Sequence, residues 1–160
     1  MKNFDLVLNT KAVERREDIS AFRVEEAAKA RRFHSTFPVY EKTPLVSLKN
    51  LAEKAGVKDI FLKDESYRFG LNAFKVLGAG YAIANEIGGR ISKDITELSA
   101  ESILSIETKE KIGDITFVTA TDGNHGRGVA WTANQLGQKS VVYMPKGSAA
   151  ERLENIRKAG

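Results

Sequence analysis

The chain has no cysteine among its 160 residues, which excludes disulfides, thiolate metal sites and a cysteine nucleophile. It has two histidines, His34 and His125. Neither has a carboxylate at metal-ligand spacing, so no metal is expected and a Ser/His/Asp triad has no support. No apolar run approaches the roughly 20 residues of a membrane span. The start, Met1-Lys2-Asn3-Phe4-Asp5, meets charge too soon for the apolar core of a signal peptide. A cytoplasmic protein with no membrane partner is therefore expected. Internal repeats and low-complexity tracts are also missing. So is a block of one charge sign: the net charge is +4, but acids and bases alternate, as in Lys11-Ala-Val-Glu14-Arg15-Arg16-Glu17-Asp18. That mixture reads as solvated surface, whereas nucleic-acid binders gather Lys and Arg into a patch.

What remains is an ordinary globular composition, 42% hydrophobic and 29% charged, long enough for one domain with a real core. Residues 1–36 form a polar N-terminal arm with one helix-like stretch, Val24 to Phe33. The character changes at Phe37-Pro38-Val39-Tyr40, where a body of residues 37–160 begins. Thr43-Pro44-Leu45 reads as extended, because the residue before proline avoids the helical region. Ser47 is a candidate cap for a short helix through Ala55, closed by Gly56. Asp59 to Lys63 is a strand candidate. A helix opening at Asn72 or Ala73 runs to Gly88-Gly89, and Thr96 to Lys111 carries an imperfect helical stripe. Ile115 to Ala120 and Ser140 to Met144 are strands flanking a helix from Asn124 to Leu136, and Ser148-Ala-Ala-Glu151 matches a capping box for a helix through Ala159. Alternating strands and helices, with strands that lack polar alternation, predict an α/β fold: a parallel sheet of three strands covered by helices on both faces. Three strands make a thin sheet, so the chain is expected to be the front part of a longer fold.

Two places carry chemistry. The first is Lys75, in Asn72-Ala73-Phe74-Lys75-Val76-Leu77-Gly78. If Asn72 caps the helix, Lys75 lies in its first turn, where the dipole disfavours a cation by about 0.3–1 kcal/mol. Residues that break a local rule are enriched at functional sites, and the field favours the neutral amine that a Schiff base requires. The alternative is a surface lysine whose amine snorkels into water. The second is Thr121-Asp122-Gly123-Asn124-His125-Gly126-Arg127-Gly128, after a strand and at the start of a helix. Free N–H groups there attract an anion, and the glycines let backbone approach a ligand. The spacing fits neither a dinucleotide fingerprint nor a P-loop, so the pattern indicates a carboxylate or phosphate cradle. Asp122 is either the helix N-cap or a general acid or base beside a substrate. Asn124 is a cap or a ligand-facing donor. His125 suits a structural hydrogen bond, and Trp131 suits core packing. Lys63, Asp64, Glu65 and Arg68 form a charged loop that either shapes the mouth of a site or is simply solvated.

Together, Thr43-Pro44-Leu45, Asn72-Ala-Phe-Lys75 and Thr121-Asp-Gly-Asn-His-Gly126 resemble the tryptophan-synthase-β-like enzymes of fold type II, which use pyridoxal 5'-phosphate. Asp64-Glu-Ser-Tyr-Arg-Phe-Gly-Leu-Asn-Ala-Phe-Lys75 and Ala120-Thr-Asp-Gly-Asn-His-Gly-Arg-Gly128 are similar, more narrowly, to the diaminopropionate ammonia-lyases. The resemblance implies that Lys75 is the Schiff-base lysine and that Asn124 lies near the cofactor ring hydroxyl. It implies that Thr121, Asp122, Gly123, Asn124 and His125 bind the substrate carboxylate. Asp122 stands where many relatives have serine and is expected to act on the Cα proton of one enantiomer, with Lys75 serving the other. The implied reaction is elimination of ammonia from 2,3-diaminopropionate to give pyruvate and ammonia, by a homodimer in the full-length form. A serine/threonine dehydratase of the same fold is the alternative enzyme, and a catalytically silent binding or assembly module the alternative of another class. In this family the glycine-rich phosphate loop and the partner of the ring nitrogen come later than the residues matched here. The chain is thus expected to be incomplete as an enzyme.

Overall fold

The computed structural model describes residues 19–160; residues 1–18 of the N-terminal arm lie outside them. After a 3-10 turn at Ser20–Phe22 come α1 (Val24–His34), β1 (Leu45–Ser47), α2 (Lys49–Ala55) and β2 (Phe61–Lys63). A 3-10 segment, Glu65–Gly70, leads to α3 (Lys75–Arg90). Then follow a 3-10 turn at Ile95–Glu97, α4 (Ala100–Leu104), α5 (Ile106–Ile112), β3 (Thr116–Ala120), α6 (Asn124–Gln135), β4 (Lys139–Tyr143) and α7 (Ala150–Ala159).

The core is organised around α3. Its buried residues Val76, Gly80, Ile83, Ala84 and Ile87 recur at helical spacing, so one face of the helix is sunk in the protein. Against that face pack Phe33 of α1, Phe37, Phe69, Leu71, and the apolar residues of the 95–103 segment. β3 and β4 pair in parallel, from Thr116 opposite Lys139 to Ala120 opposite Tyr143, and α6 connects them. α7 docks on α6 through Ile156 and Ala159 against Ala130, with Val142 packed alongside.

Five expectations are corrected. The parallel sheet has two described strands, because β2 pairs antiparallel with β1, Leu45 opposite Lys63 and Ser47 opposite Phe61. The extended run after Pro44 continues through Ser47 and offers β2 a nearer partner than β3. Ser47, used in that strand, does not cap α2, whose N-cap is Leu48 without a side-chain bond. Helices cover one face of the β3–β4 pair; the other bares Val118, 62% exposed, and Tyr143, 66% exposed. The stretch from Thr96 to Lys111 is not one helix. Asp94, Ser99 and Ser105 each accept a bond from an amide two or three residues on, so short polar side chains restart the helix three times. Ser148 likewise forms no capping box. Its hydroxyl and its amide both donate to the Pro145 carbonyl, closing a turn, and Ala149 is the N-cap of α7.

Candidate functional site

Lys75 is the first residue of α3, so its place in the first turn holds. The cap does not: Asn72 has φ 56° and lies outside the helix, and Phe74 is the N-cap with no side-chain bond. Three left-handed residues, Phe69, Gly70 and Asn72, lie within four positions. Phe69 is the costliest, since an aromatic residue in that region carries strain that its surroundings must hold. They do so from two sides. Phe69 stacks on Trp131 with ring centroids 5.4 Å apart and meets Phe37 edge-on at 5.8 Å. Its neighbour Arg68 is buried and gripped by Glu65 through Nε to Oε2 at 2.8 Å and Nη2 to Oε1 at 2.9 Å.

That grip extends further. Thr43 donates its hydroxyl to Glu65 at 2.7 Å and accepts from Arg68 Nη2 at 3.1 Å. Arg68 Nη1 donates to the Glu41 carbonyl, and its guanidinium lies 5.7 Å from the centre of the Tyr40 ring. Lys63 donates to the Thr43 carbonyl, and Asp64 accepts from the amide and hydroxyl of Ser66. The charged loop is therefore a bonded clamp on the approach to Lys75. Arg68 holds the Glu65 carboxyl below its usual range, chiefly by hydrogen bonding. The sequence carried one signal of this, an acid and a base three residues apart in a turn, but not the partner Thr43.

The second element of the site starts where β3 ends. Gly123 precedes α6 with no side-chain cap, and Thr121 accepts from the Gly123 amide at 3.2 Å. The amides of Asn124, His125 and Gly126 open the helix, before any intrahelical acceptor is available to them. Two glycines let the helix seat closely. A Cβ on Gly126 would lie 2.5 Å from Thr121 Cγ2 and 2.6 Å from Val142 Cγ1. A Cβ on Gly128 would lie 2.9 Å from Val76 Cα and 3.2 Å from the Lys75 carbonyl oxygen. Gly128 thus brings the start of α3, and Lys75 with it, against α6. Arg127 adds a tie by donating Nη1 to the Leu71 carbonyl at 2.7 Å.

The result is one cleft of ≈ 350 Å³ lined by Lys75, Thr121, Asp122, Gly123, Asn124, His125 and Arg152. All six residues singled out from the sequence meet there. The half-buried Lys75 makes no hydrogen bond or ion pair with any described residue; its amine lies 4.7 Å from the centre of the Phe74 ring. A cofactor bearing an aldehyde fits this cleft: an uncommitted amine lines it together with the turn that opens α6, and a Cβ on Gly123 would meet nothing within 4 Å. Arg152 was missed. Its Nη1 donates to Asp122 Oδ2 at 2.5 Å, and as the third residue of α7 it is, like Lys75, a cation in a first helical turn. That signal was available in the sequence. His34 lies away from this cleft, buried against Phe33 and Tyr81.

Comparison with known proteins follows the same lines. The family described as pyridoxal-phosphate dependent enzyme matches residues 36–160. A diaminopropionate ammonia-lyase of Salmonella typhimurium is 56% identical over 128 residues, covering 80% of this chain and 32% of its own length. The Escherichia coli diaminopropionate ammonia-lyase is 53% identical over 140 residues, 87% of this chain and 34% of its own. A crystal structure of the Escherichia coli protein in complex with D-serine superposes with a TM-score of 0.81 at 51% identity, covering 88% of this chain and 35% of that one. The chain spans about a third of the length of the curated relatives it matches.

Proposed function

Because this chain belongs to the pyridoxal-phosphate dependent enzyme family, of fold type II, we propose that it carries the lysine and the substrate-carboxylate turn of a diaminopropionate ammonia-lyase. The overall reaction turns 2,3-diaminopropionate and one water into pyruvate and two ammonia. The observation that carries this reading is the single cleft shared by Lys75 and the Thr121–His125 turn.

Pyridoxal phosphate, when bound, supplies an aldehyde and a protonated ring that accepts the electron pair left when Cα loses its proton. The chain's own residues do the rest. Lys75 holds the cofactor through its amine and then moves the Cα proton of one enantiomer. Asp122 takes that proton from the other, D, enantiomer, approaching from the turn opposite Lys75. The amides at the start of α6 bind the substrate carboxylate, aided by the positive end of the helix, and the Asn124 side chain holds the cofactor ring. The aspartate at position 122 favours this reaction over the serine/threonine dehydratase alternative, whose enzymes carry serine at the matching place. Amino-acid catabolism in the cytoplasm, by a homodimer in the full-length form, belongs to the same reading. No described helix is long and apolar enough to cross a membrane.

Incubation with pyridoxal phosphate tests it. A yellow absorbance band should form, and borohydride should fix the added mass on the peptide that contains Lys75. Lys75→Ala should show neither. Absence of the band in the unsubstituted protein overturns the assignment.

A further inference from the structure

Arg152 has no part in the reaction as described above, yet it lines the same cleft. It lies in the first turn of α7, Asp122 just precedes α6, and these helices start beyond the carboxyl ends of β3 and β4, adjacent strands in register at Ala120 and Tyr143. Packing of Ile156 and Ala159 on Ala130 fixes α7 against α6, so the two side chains meet by construction of the fold. Arg152 Nη1 donates to Asp122 Oδ2 at 2.5 Å and approaches the Asp122 carbonyl at 3.5 Å. No other described residue pairs with that carboxylate.

Both side chains are more than half exposed, 56% for Arg152 and 62% for Asp122, and an ion pair so exposed adds little to stability. A guanidinium at the positive end of α7 is also locally disfavoured. The pair is better explained by orientation. A carboxylate on a short side chain at the mouth of an open cleft has several rotamers, and a base must face the proton it removes. We propose that Arg152 is a positioning residue for Asp122, holding its carboxylate toward the cleft that contains Lys75 and so favouring the D-isomer of the substrate. The kinetic part of this proposal rests on the lyase reading; the pairing itself does not.

Two measurements test it. In the cofactor-free protein, 15N NMR should show slowed rotation of the Arg152 guanidinium, and Asp122→Asn should release it. In the loaded protein, Arg152→Ala should lower kcat for D-diaminopropionate about tenfold more than for the L-isomer, within the roughly 10²-fold that misplacing a reacting group costs. KM for the D-isomer should move less than kcat, and Arg152→Lys should recover part of the loss. Adding Arg152→Ala to Asp122→Asn should cost no further D-turnover. A freely rotating Arg152, equal losses with both isomers, or additive losses would overturn the proposal. Slowed rotation released by Asp122→Asn supports the pairing even where neither isomer is turned over; that outcome counts against catalysis by this chain alone, and the lyase reading then stands or falls by the Lys75 band.

Discussion

Arg127 crosses from α6 to the backbone carbonyl of Leu71, 2.7 Å away, so the helix that opens after the Thr121–Gly123 turn also holds the loop that delivers Lys75. One residue on, Gly128 lies under the first turn of α3, where a Cβ would reach 2.9 Å from Val76 Cα. Both contacts are with backbone, which cannot rotate away.

Gly128→Ala should therefore destabilise the protein by about 1–3 kcal/mol, the usual cost of overpacking a close contact. It should also displace Lys75 from the turn. Urea unfolding reads the first effect, and a lower yield of borohydride-fixed pyridoxal phosphate on Lys75 reads the second. Unchanged stability and yield would mean that the α3–α6 crossing is not set by this glycine.

The Glu65–Arg68 pair leads to a second expectation. Its side chains are 21% and 9% exposed, so removing one partner leaves a charge with little access to water. Glu65→Ala should cost about 3 kcal/mol, at the lower end for a broken buried pair. Arg68→Met with Glu65→Met should cost less than Glu65→Ala alone, because the stranded charge is gone. Chemical denaturation of the parent and the two variants decides it; a double variant worse than Glu65→Ala would show that the bonds to Thr43 matter more than the charge.

Acid should act through His34. Burial holds its imidazole neutral and pushes its pKa down to about 4, against about 6.5 in an unfolded chain. The unfolded state thus binds the extra proton between these values, and stability present above about pH 6.5 is lost progressively as pH falls toward 4. Between about pH 7.5 and pH 5 this group alone should remove roughly 2 kcal/mol. The depressed Glu65 carboxyl contributes stability that is lost at still lower pH, as pH falls through its folded pKa. Urea midpoints across this range should slope downward in the parent and less so in His34→Asn; parallel slopes would remove His34 as the cause.

Much of this was legible in the chain because it is local. The turn from Thr121 to Gly123 lies between a β-branched run and an amphipathic helix, and Lys75 follows an aromatic residue at a helix start, so strand, turn and helix follow from neighbours. What escaped was either competition between equals or contact at a distance. Ser99 and Ser105 offer their own oxygens to the backbone as readily as a longer helix would, and sequence periodicity does not count that cost. The pairing of β2 with β1 depends on which edge is nearer. Arg152 and Thr43 act across 30 and 25 residues, on Asp122 and Arg68 respectively, separations at which no spacing rule applies.

The stack of Phe69 on Trp131 has a practical outcome. The chain contains a single indole, seated against the strained residue on the way to Lys75. Its emission is therefore a built-in optical witness to that segment, free of background from any other tryptophan and needing no label.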